Sequence, residues 1–505
     1  MLSKVKSYAL YGLEGLLVDI EADVSNGLPS FEIVGLPDTA VKESKERVRS
    51  AIKNSGYHYP TTKITINLAP ADVKKQGAYL DLGIAVGILK ASGLQMVKKV
   101  EEYAFIGELS LDGSIRGVQG VLPMLISALK NGQKKFIVPL ENKNEAVYLE
   151  GIEVFALDSL KSVIEFLNSE ESNCVEHVEY SSYYKNVNYD SDLCFVKGQA
   201  YAKRALEVAV AGGHNIMFVG PPGAGKTMLA KCIPTIMPEM TFDEAVETTK
   251  IHSVAGILNE DGIVLKRPFM TPHHTASRVS IIGGGANSTP GIISMAHNGV
   301  LYFDEMPEYP RSVLECLRQP LEDRVITVAR AKATVEYPAS FIFSASMNPC
   351  PCGNYGVKGK ICKCTSAEIR RYNAKISGPL LDRIDIQIAV ESVNYTDLTS
   401  NQIEESSKEV KNRVESAREI QRQRFSQEKI KTNAEMRERQ LKKYCTLSGE
   451  CEKILKASFE SLDLSARARS RIIKVARTIA DLQHSNEILP EHILEAVGYR
   501  SMLNK

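Results

Sequence analysis

The run Gly220-Pro221-Pro222-Gly223-Ala224-Gly225-Lys226-Thr227 follows directly on the apolar stretch Ile216-Met-Phe-Val219. Its spacing fits G-x-x-x-x-G-K-[ST], a pattern that requires a strand to end, a loop to turn and a helix to start within eight residues. Glycines let successive backbone N–H groups face inward around phosphate oxygens. Lys226 then reaches the β- and γ-phosphates of a nucleoside triphosphate such as ATP, and the Thr227 hydroxyl is a ligand for Mg²⁺. A plain Gly/Pro turn is the alternative, and the complete pattern in this context disfavours it.

Partners for such a loop lie downstream. Val300-Leu-Tyr-Phe-Asp304-Glu305 is an apolar strand ending in two carboxylates, 78 residues after Lys226. Asp304 is suited to the Mg²⁺ shell and Glu305 to polarising the attacking water. Ser344-Ala-Ser-Met-Asn348 ends the next buried strand in an amide that either caps a turn or bonds the water or γ-phosphate. Arg383, in Leu-Leu-Asp-Arg-Ile-Asp, is either an ordinary ion-pair member or a cation reaching the γ-phosphate held by a neighbouring copy. Ser465 is placed as a helix N-cap, with Arg467 in the first turn able to fold over nucleotide phosphates.

At 505 residues the chain exceeds a single core. Apolar residues make up 44% and charged residues 24%, which excludes collagenous and wholly disordered classes. No long uncharged apolar stretch exists to span a bilayer, and the first residues lack a signal-peptide core, so a cytoplasmic location is expected. Lys and Arg number 62 against 61 Asp and Glu, so binding to nucleic acid requires a local patch rather than bulk charge.

Residues 1–168 alternate strand and helix signals. Lys63-Ile-Thr-Ile-Asn-Leu has period two, Asp81-Leu-Gly-Ile-Ala-Val-Gly-Ile-Leu reads as a buried helix, and Lys135-Phe-Ile-Val-Pro as a buried strand after a helix ended by Gly132. Residues 169–193 are polar, net acidic and aperiodic, as a linker is. Residues 194–392 carry continuous apolar runs expected of central parallel strands. From 393 to 505 only helical spacing remains, as in Val410, Val414, Ala417 and Ile420, and in Ile472, Val475, Ala476 and Ile479. The expected class is therefore multidomain α/β with an α-helical C-terminal part.

Ten cysteines in such a chain are no disulfide framework, but Cys350, Cys352, Cys362 and Cys364 are bunched. Four soft thiolates suit structural Zn²⁺, although C-x-C is tighter than the usual knuckle. Reduced thiols or a redox-sensitive loop are the alternatives. Glu322 to Pro338 alternates polar and apolar residues about a basic tip, Arg330 and Lys332, and reads as a β-hairpin whose cations are either merely solvated or face a phosphate backbone. Residues 411–443 hold 11 Lys and Arg against 5 Asp and Glu, and 467–477 hold five cations and no acid, patterns of solvated helix faces or of a nucleic-acid patch. His252, His273 and His274 read as hydrogen bonders.

Taken together, Arg267-Pro-Phe-Met-Thr-Pro-His-His, Ile282-Gly-Gly-Gly, Pro290-Gly-Ile-Ile-Ser-Met-Ala-His-Asn-Gly, Leu317-Arg-Gln-Pro-Leu-Glu, Asn348-Pro-Cys-Pro-Cys-Gly and Ala476-Arg-Thr-Ile-Ala-Asp-Leu make the chain resemble the YifB/ComM family of magnesium-chelatase-like AAA+ ATPases over essentially its whole length. The resemblance implies an AAA+ core at 194–392 with a helix-2 insertion, a four-cysteine insertion at 350–364 and a pore-facing hairpin bearing Arg330 and Lys332, followed by a helical lid at 393–505. It implies a homo-oligomeric, hexameric ring with Asn348 as sensor 1, Arg383 as the trans-acting arginine finger and Arg467 as sensor 2. It further implies ATP, Mg²⁺ and single-stranded or branched DNA as ligands, with branch migration in recombination or transformation as the role. A chelatase motor or a protein-remodelling ATPase is the alternative within the same resemblance. The N-terminal segment is similar to the Lon protease proteolytic fold. Lys75-Gln-Gly-Ala-Tyr-Leu-Asp81-Leu and Gly120-Val-Leu-Pro-Met124 fall where a Ser–Lys pair would stand. No Ser–Lys pair can be placed at matched positions, and the Met124 thioether cannot serve as the base, so a non-proteolytic domain is expected.

Overall fold

The computed structural model describes residues 1–75, 77–169, 174–180, 189–259, 261–285, 288–330, 333–357, 359–392, 404–461 and 465–500. These form two compact units, Met1–Asn186 with Phe242–Leu265, and Val187–Thr241 with Lys266–Lys505.

In the first unit a seven-stranded mixed sheet combines β1 (Leu2–Tyr11), β2 (Glu14–Ser25), β3 (Ser30–Val34), β4 (Lys63–Ala69), β5 (Tyr103–Phe105), β6 (Lys135–Pro139) and β7 (Glu153–Leu157) in the order β3-β4-β2-β1-β5-β6-β7. The period-two reading of β4 holds, since Ile64, Ile66 and Leu68 are buried and alternate with less buried neighbours. Helix α1 (Asp81–Ala91) is buried along nearly its whole length, which fits the apolar run Leu82–Leu89 between Asp81 and Lys90. Helix α2 (Val121–Lys130) is followed by Gly132 at φ 81°, a left-handed position that ends the helix and turns the chain into β6.

Helix α3 (Phe242–Ala255) and the residues after it to Leu265 group with this unit, although the chain before Phe242 and after Leu265 belongs to the other. Ser253 donates to Glu145 Oε2 at 2.7 Å and accepts from the Gly120 N–H at 3.0 Å, ties across more than a hundred residues. Within the 169–193 stretch, the Val175 N–H donates to the Val154 carbonyl at 2.8 Å, and Leu193 is fully buried in the second unit.

The second unit is built on a five-stranded, all-parallel sheet. Its strands are β8 (Ile216–Val219), β9 (Phe269–Met270), β10 (Val300–Phe303), β11 (Ile342–Met347) and β12 (Ile386–Ala389), ordered β9-β10-β11-β8-β12. Strands β10 and β11 are buried at every position, as a parallel sheet covered on both faces demands. Helices α4 (Ser407–Arg424), α5 (Ala466–Leu482) and α6 (Pro490–Gly498) share one apolar core with this sheet. On α4 the buried row runs Val410, Val414, Ala417 and then Gln421, not Ile420 as the apolar spacing predicts. Gln421 takes that place because its side chain is satisfied there: Nε2 donates to the Ala211 carbonyl at 2.9 Å and Oε1 accepts from the Asn433 N–H at 2.9 Å. The expected hairpin forms, with Val325–Arg330 antiparallel to Ala333–Pro338. Lys332 lies outside the described residues, and Arg330 is placed only by its strand position opposite Ala333.

Candidate nucleotide site

The phosphate loop leaves the C-terminal end of β8. Gly223 and Gly225 have φ of 79° and 85°, conformations that a side chain disfavours and that turn the loop back on itself. A Cβ on Gly220 would lie 2.2 Å from the Val390 carbonyl oxygen, so only glycine lets the loop pass the sheet at that point. Ala224 is buried beneath it. Lys226 Nζ donates to the carbonyls of Gly220 and Pro221 at 2.6 and 2.9 Å and to Asn348 Oδ1 at 3.0 Å. Burial pulls its pKa below the ordinary lysine value, opposed by the nearby carboxylates of Asp304 and Glu305.

β10 carries the acidic pair to the same edge of the sheet. Thr227 Oγ1 donates to Asp304 Oδ2 at 3.0 Å. That separation matches the edge of an octahedron with Mg–O bonds of about 2.0–2.1 Å, so these oxygens fit Mg²⁺. Burial raises the Asp304 pKa, but hydrogen bonds from Ser346, Tyr302 and Thr227 outweigh it and hold the carboxyl below its usual range. Tyr302 Oη donates to Asp304 Oδ1 at 2.9 Å, and the Ser346 hydroxyl donates to the same oxygen. Glu305 sits at φ 49°, a left-handed conformation costing a non-glycine residue about 1–3 kcal/mol. Its N–H bonds to Asp304 Oδ1 and to Ser346 Oγ, each at 3.1 Å, hold it there. The exposed Glu305 side chain is thereby aimed out of the sheet edge.

Sequence reasoning gave no role to Tyr302 and Ser346. Tyr302 stands two residues before Asp304, and so on the same face of β10. Ser346 is reached only through the register of β10 on β11, where Phe303 pairs with Ala345.

The two arginines are not brought to this loop. Arg383 precedes β12, and its carbonyl accepts from Asn215 Nδ2 at 2.9 Å, just before β8 begins. The four residues of β8, roughly 13 Å of strand, separate it from Gly220. Arg383 is bonded to Glu322 and donates from Nη1 to the Pro379 carbonyl at 2.8 Å. Arg467 is exposed and lines the same cleft of about 1040 Å³ as Arg383, together with Arg471 and Glu322. The phosphate loop and Arg383 thus lie at opposite ends of the strands of one sheet, with Arg467 lining the cleft on the Arg383 side.

Cys350, Cys352, Cys362 and Cys364 converge with all four sulfurs within 4.8 Å of one another. Sulfur pairs at 3.4, 3.6 and 3.7 Å approach the edge of about 3.8 Å that four 2.3 Å Zn–S bonds give a tetrahedron. The donor set therefore fits Zn²⁺ despite the tight C-x-C spacing.

Other candidates resolve differently. In 467–477, Arg471 pairs with buried Asp385, Arg477 with buried Asp481, Arg469 with Glu452, and Lys474 donates to the Ala434 carbonyl. That run is largely spent inside the unit and is no open cationic face. His273 bonds Thr275, in line with a hydrogen-bonding role. At the Lon-like positions Met124 is fully buried in the core, and Asp81 is held by Arg47 Nε at 2.6 Å.

Comparison with known proteins bears on this geometry. Family models described as magnesium chelatase subunit ChlI match residues 192–398 and 20–142, and its C-terminal model matches 404–500. The chain is 42% identical to the competence protein ComM of Haemophilus influenzae, with 99% of this chain and 98% of the relative covered. It is 41% identical to the uncharacterised protein YifB of Escherichia coli, covering 99% and 97%. It belongs to the YifB/ComM magnesium-chelatase-like family. Lon protease 2 of Bacillus subtilis is 27% identical over 179 residues, 32% of each chain, a partial likeness in keeping with a Lon-like segment in this YifB/ComM member. The AAA+ type of the family points to an ATPase that uses ATP and Mg²⁺ and to an oligomeric state. Among the described residues no helix is long and apolar enough to cross a membrane.

Proposed function

We propose that the chain is a Mg²⁺-dependent ATP-hydrolysing ring motor, hexameric and acting on DNA. The observation that carries this reading is the separation of the phosphate loop from Arg383 and Arg467 across the sheet. In a closed ring of identical copies, the edge bearing the arginines of one subunit meets the edge bearing the loop of the next. Lys226, Thr227, Asp304, Glu305 and Asn348 would then come from one copy, with Arg383 and Arg467 from its neighbour.

In that seam the loop amides from Gly220 to Gly225 and the Lys226 ammonium bind the phosphates. Thr227 and Asp304 would hold Mg²⁺, which neutralises charge on the β- and γ-phosphates. Glu305, an exposed carboxylate on a fixed backbone, accepts a proton from the attacking water. Asn348, already bonded to Lys226, lies where it can orient that water or the γ-phosphate. Arg383 leaves Glu322 and offsets charge developing on the γ-phosphoryl oxygens. The hairpin Val325–Pro338 follows directly on the helix bearing Glu322, so the ion-pair partner of Arg383 is joined by a short run of chain to the hairpin whose tip carries Arg330 and Lys332. Movement of those tips against a phosphate backbone is the step that translocates DNA.

The name of the Haemophilus influenzae relative supports a part in competence, and a branch-migrating helicase is the form we favour. A cytoplasmic location accords with it. We also divide the chain as a non-proteolytic Lon-like domain, a linker, an AAA+ core and a helical lid, and assign one structural zinc to the four cysteines.

The test is ATP turnover measured with single-stranded, duplex, forked and four-way DNA, alongside particle size in ATP. Stimulation of several-fold by single-stranded or branched DNA is expected, together with a ring-sized particle. The ChlI match favours a second reading, a chelatase-type motor. Dependence on a porphyrin-binding partner with no response to any DNA would select it and reject the DNA reading. Metal analysis should find about one zinc per chain, and metal-free protein with four titratable thiols would reject the zinc assignment.

A further inference from the structure

We propose that the four-cysteine knuckle braces the phosphate loop, with Gly353 as a positioning residue, so that metal occupancy and ATP affinity are linked. This inference rests on the nucleotide and zinc assignments above and deepens them.

The knuckle and the loop are in direct contact. A Cβ built on Gly353 would lie 2.5 Å from Pro222 Cδ and 3.0 Å from Cγ. Those are ring atoms that cannot swing aside as the end of a flexible side chain can. Gly353 also has φ 77°, which a residue with a Cβ adopts only at a cost. Its N–H donates to the Cys350 carbonyl at 2.9 Å, closing a tight turn whose first residue is a ligand. Cys350 is fully buried, and its sulfur accepts from the Tyr355 N–H at 3.3 Å. The turn bearing Gly353 is thus fixed by the same sulfur cluster that fits the metal.

On its other side the phosphate loop is blocked by the sheet. Gly220 abuts the Val390 carbonyl, and its N–H donates to the Met347 carbonyl at 3.2 Å. The loop is therefore held at Gly220 by the sheet and at Pro222 by the knuckle. Asn348, two residues before Cys350, adds a second tie through its bond to Lys226 Nζ. A loop held in its phosphate-binding shape before nucleotide arrives loses less conformational freedom on binding. With the cluster open, Gly353 no longer bears on Pro222, and ATP binding must order the loop itself. Cys352 is exposed, while Cys362 and Cys364 are half-buried, so metal exchange and thiol chemistry can reach the brace from solvent.

The test uses the full chain and reads two quantities, zinc per chain and the equilibrium Kd for a fluorescent ATP analogue. Gly353→Ala removes no ligand, so zinc content should stay at the unsubstituted value while Kd rises about tenfold. Adding Pro222→Ala to Gly353→Ala removes the opposing ring atoms, so Gly353→Ala should cost less affinity in the Pro222→Ala background than by itself, a coupling that a distant structural effect would not produce. Chelator-stripped chain should bind the analogue more weakly and recover when zinc is returned. Lys226→Ala, which should bind weakly with or without zinc, reports separately on the nucleotide site. Gly353→Ala with unchanged zinc and unchanged Kd would overturn the brace, even where the stripped chain unfolds. Stripped, folded chain that binds as tightly as before would also overturn it, and chain purified without zinc would overturn the metal link.

Discussion

Lys226→Ala is expected to weaken ATP binding by about a hundredfold or more and to abolish hydrolysis with it. The Lys226 side chain is almost wholly buried, and its ammonium is satisfied by the Gly220 and Pro221 carbonyls and by Asn348 Oδ1. Phosphate oxygens replace neutral carbonyls with charged acceptors, and each charge-assisted hydrogen bond contributes about 1.5–3 kcal/mol. Two such bonds lost amount to about 3 kcal/mol or more, on the order of a hundredfold in affinity. Burial already presses Lys226 toward its neutral form, so triphosphate binding should also draw its pKa back up. Titration calorimetry with ATP checks this. Affinity unchanged in Lys226→Ala would remove the phosphate loop from the account.

Arg383→Ala is expected to leave ATP affinity within a few-fold of normal while hydrolysis falls by about 10³–10⁵, the range for an arginine that acts on the transition state. Binding is spared because Arg383 does not approach the loop of its own chain. The Asn215 contact pins it at the edge of the sheet where strands enter, and the phosphate loop lies where they leave. The substitution also strips Glu322 of its partner, but Glu322 is largely exposed, so an unpaired carboxylate there costs little. Equilibrium binding and single-turnover hydrolysis on the same preparation separate the two effects. Loss of both together would make Arg383 a structural residue of its own chain.

Much of this site is legible in sequence because its parts are local. Loop glycines, Lys226 and Thr227 are contiguous, and Asp304 and Glu305 end a strand that reads as buried from Val300-Leu-Tyr-Phe alone. The strand β4 and the helix α1 follow from periodicity in the same way. What escapes is set by register and by long-range packing. Ser346 matters to Asp304 only because β10 lies beside β11, a pairing that no spacing within either strand announces. Gln421 displaces Ile420 from the core because Ala211 and Asn433 offer it hydrogen bonds. The basic run 467–477 reads as a free cationic face until Asp385 and Asp481 are found against it. Helix α3 joins the first unit through Glu145 and Gly120, both more than a hundred residues from Ser253.

The central claim is that one copy's triphosphate is cleaved with a guanidinium from another. Mixing Arg383→Ala with Glu305→Gln tests it most directly, since each variant alone lacks one half of every seam. The account predicts that each is inactive by itself and that mixtures regain turnover, rising and falling with the mixing ratio as seams pair an intact Glu305 with an intact Arg383. Mixtures as inactive as their components, although the two variants assemble together, would contradict it.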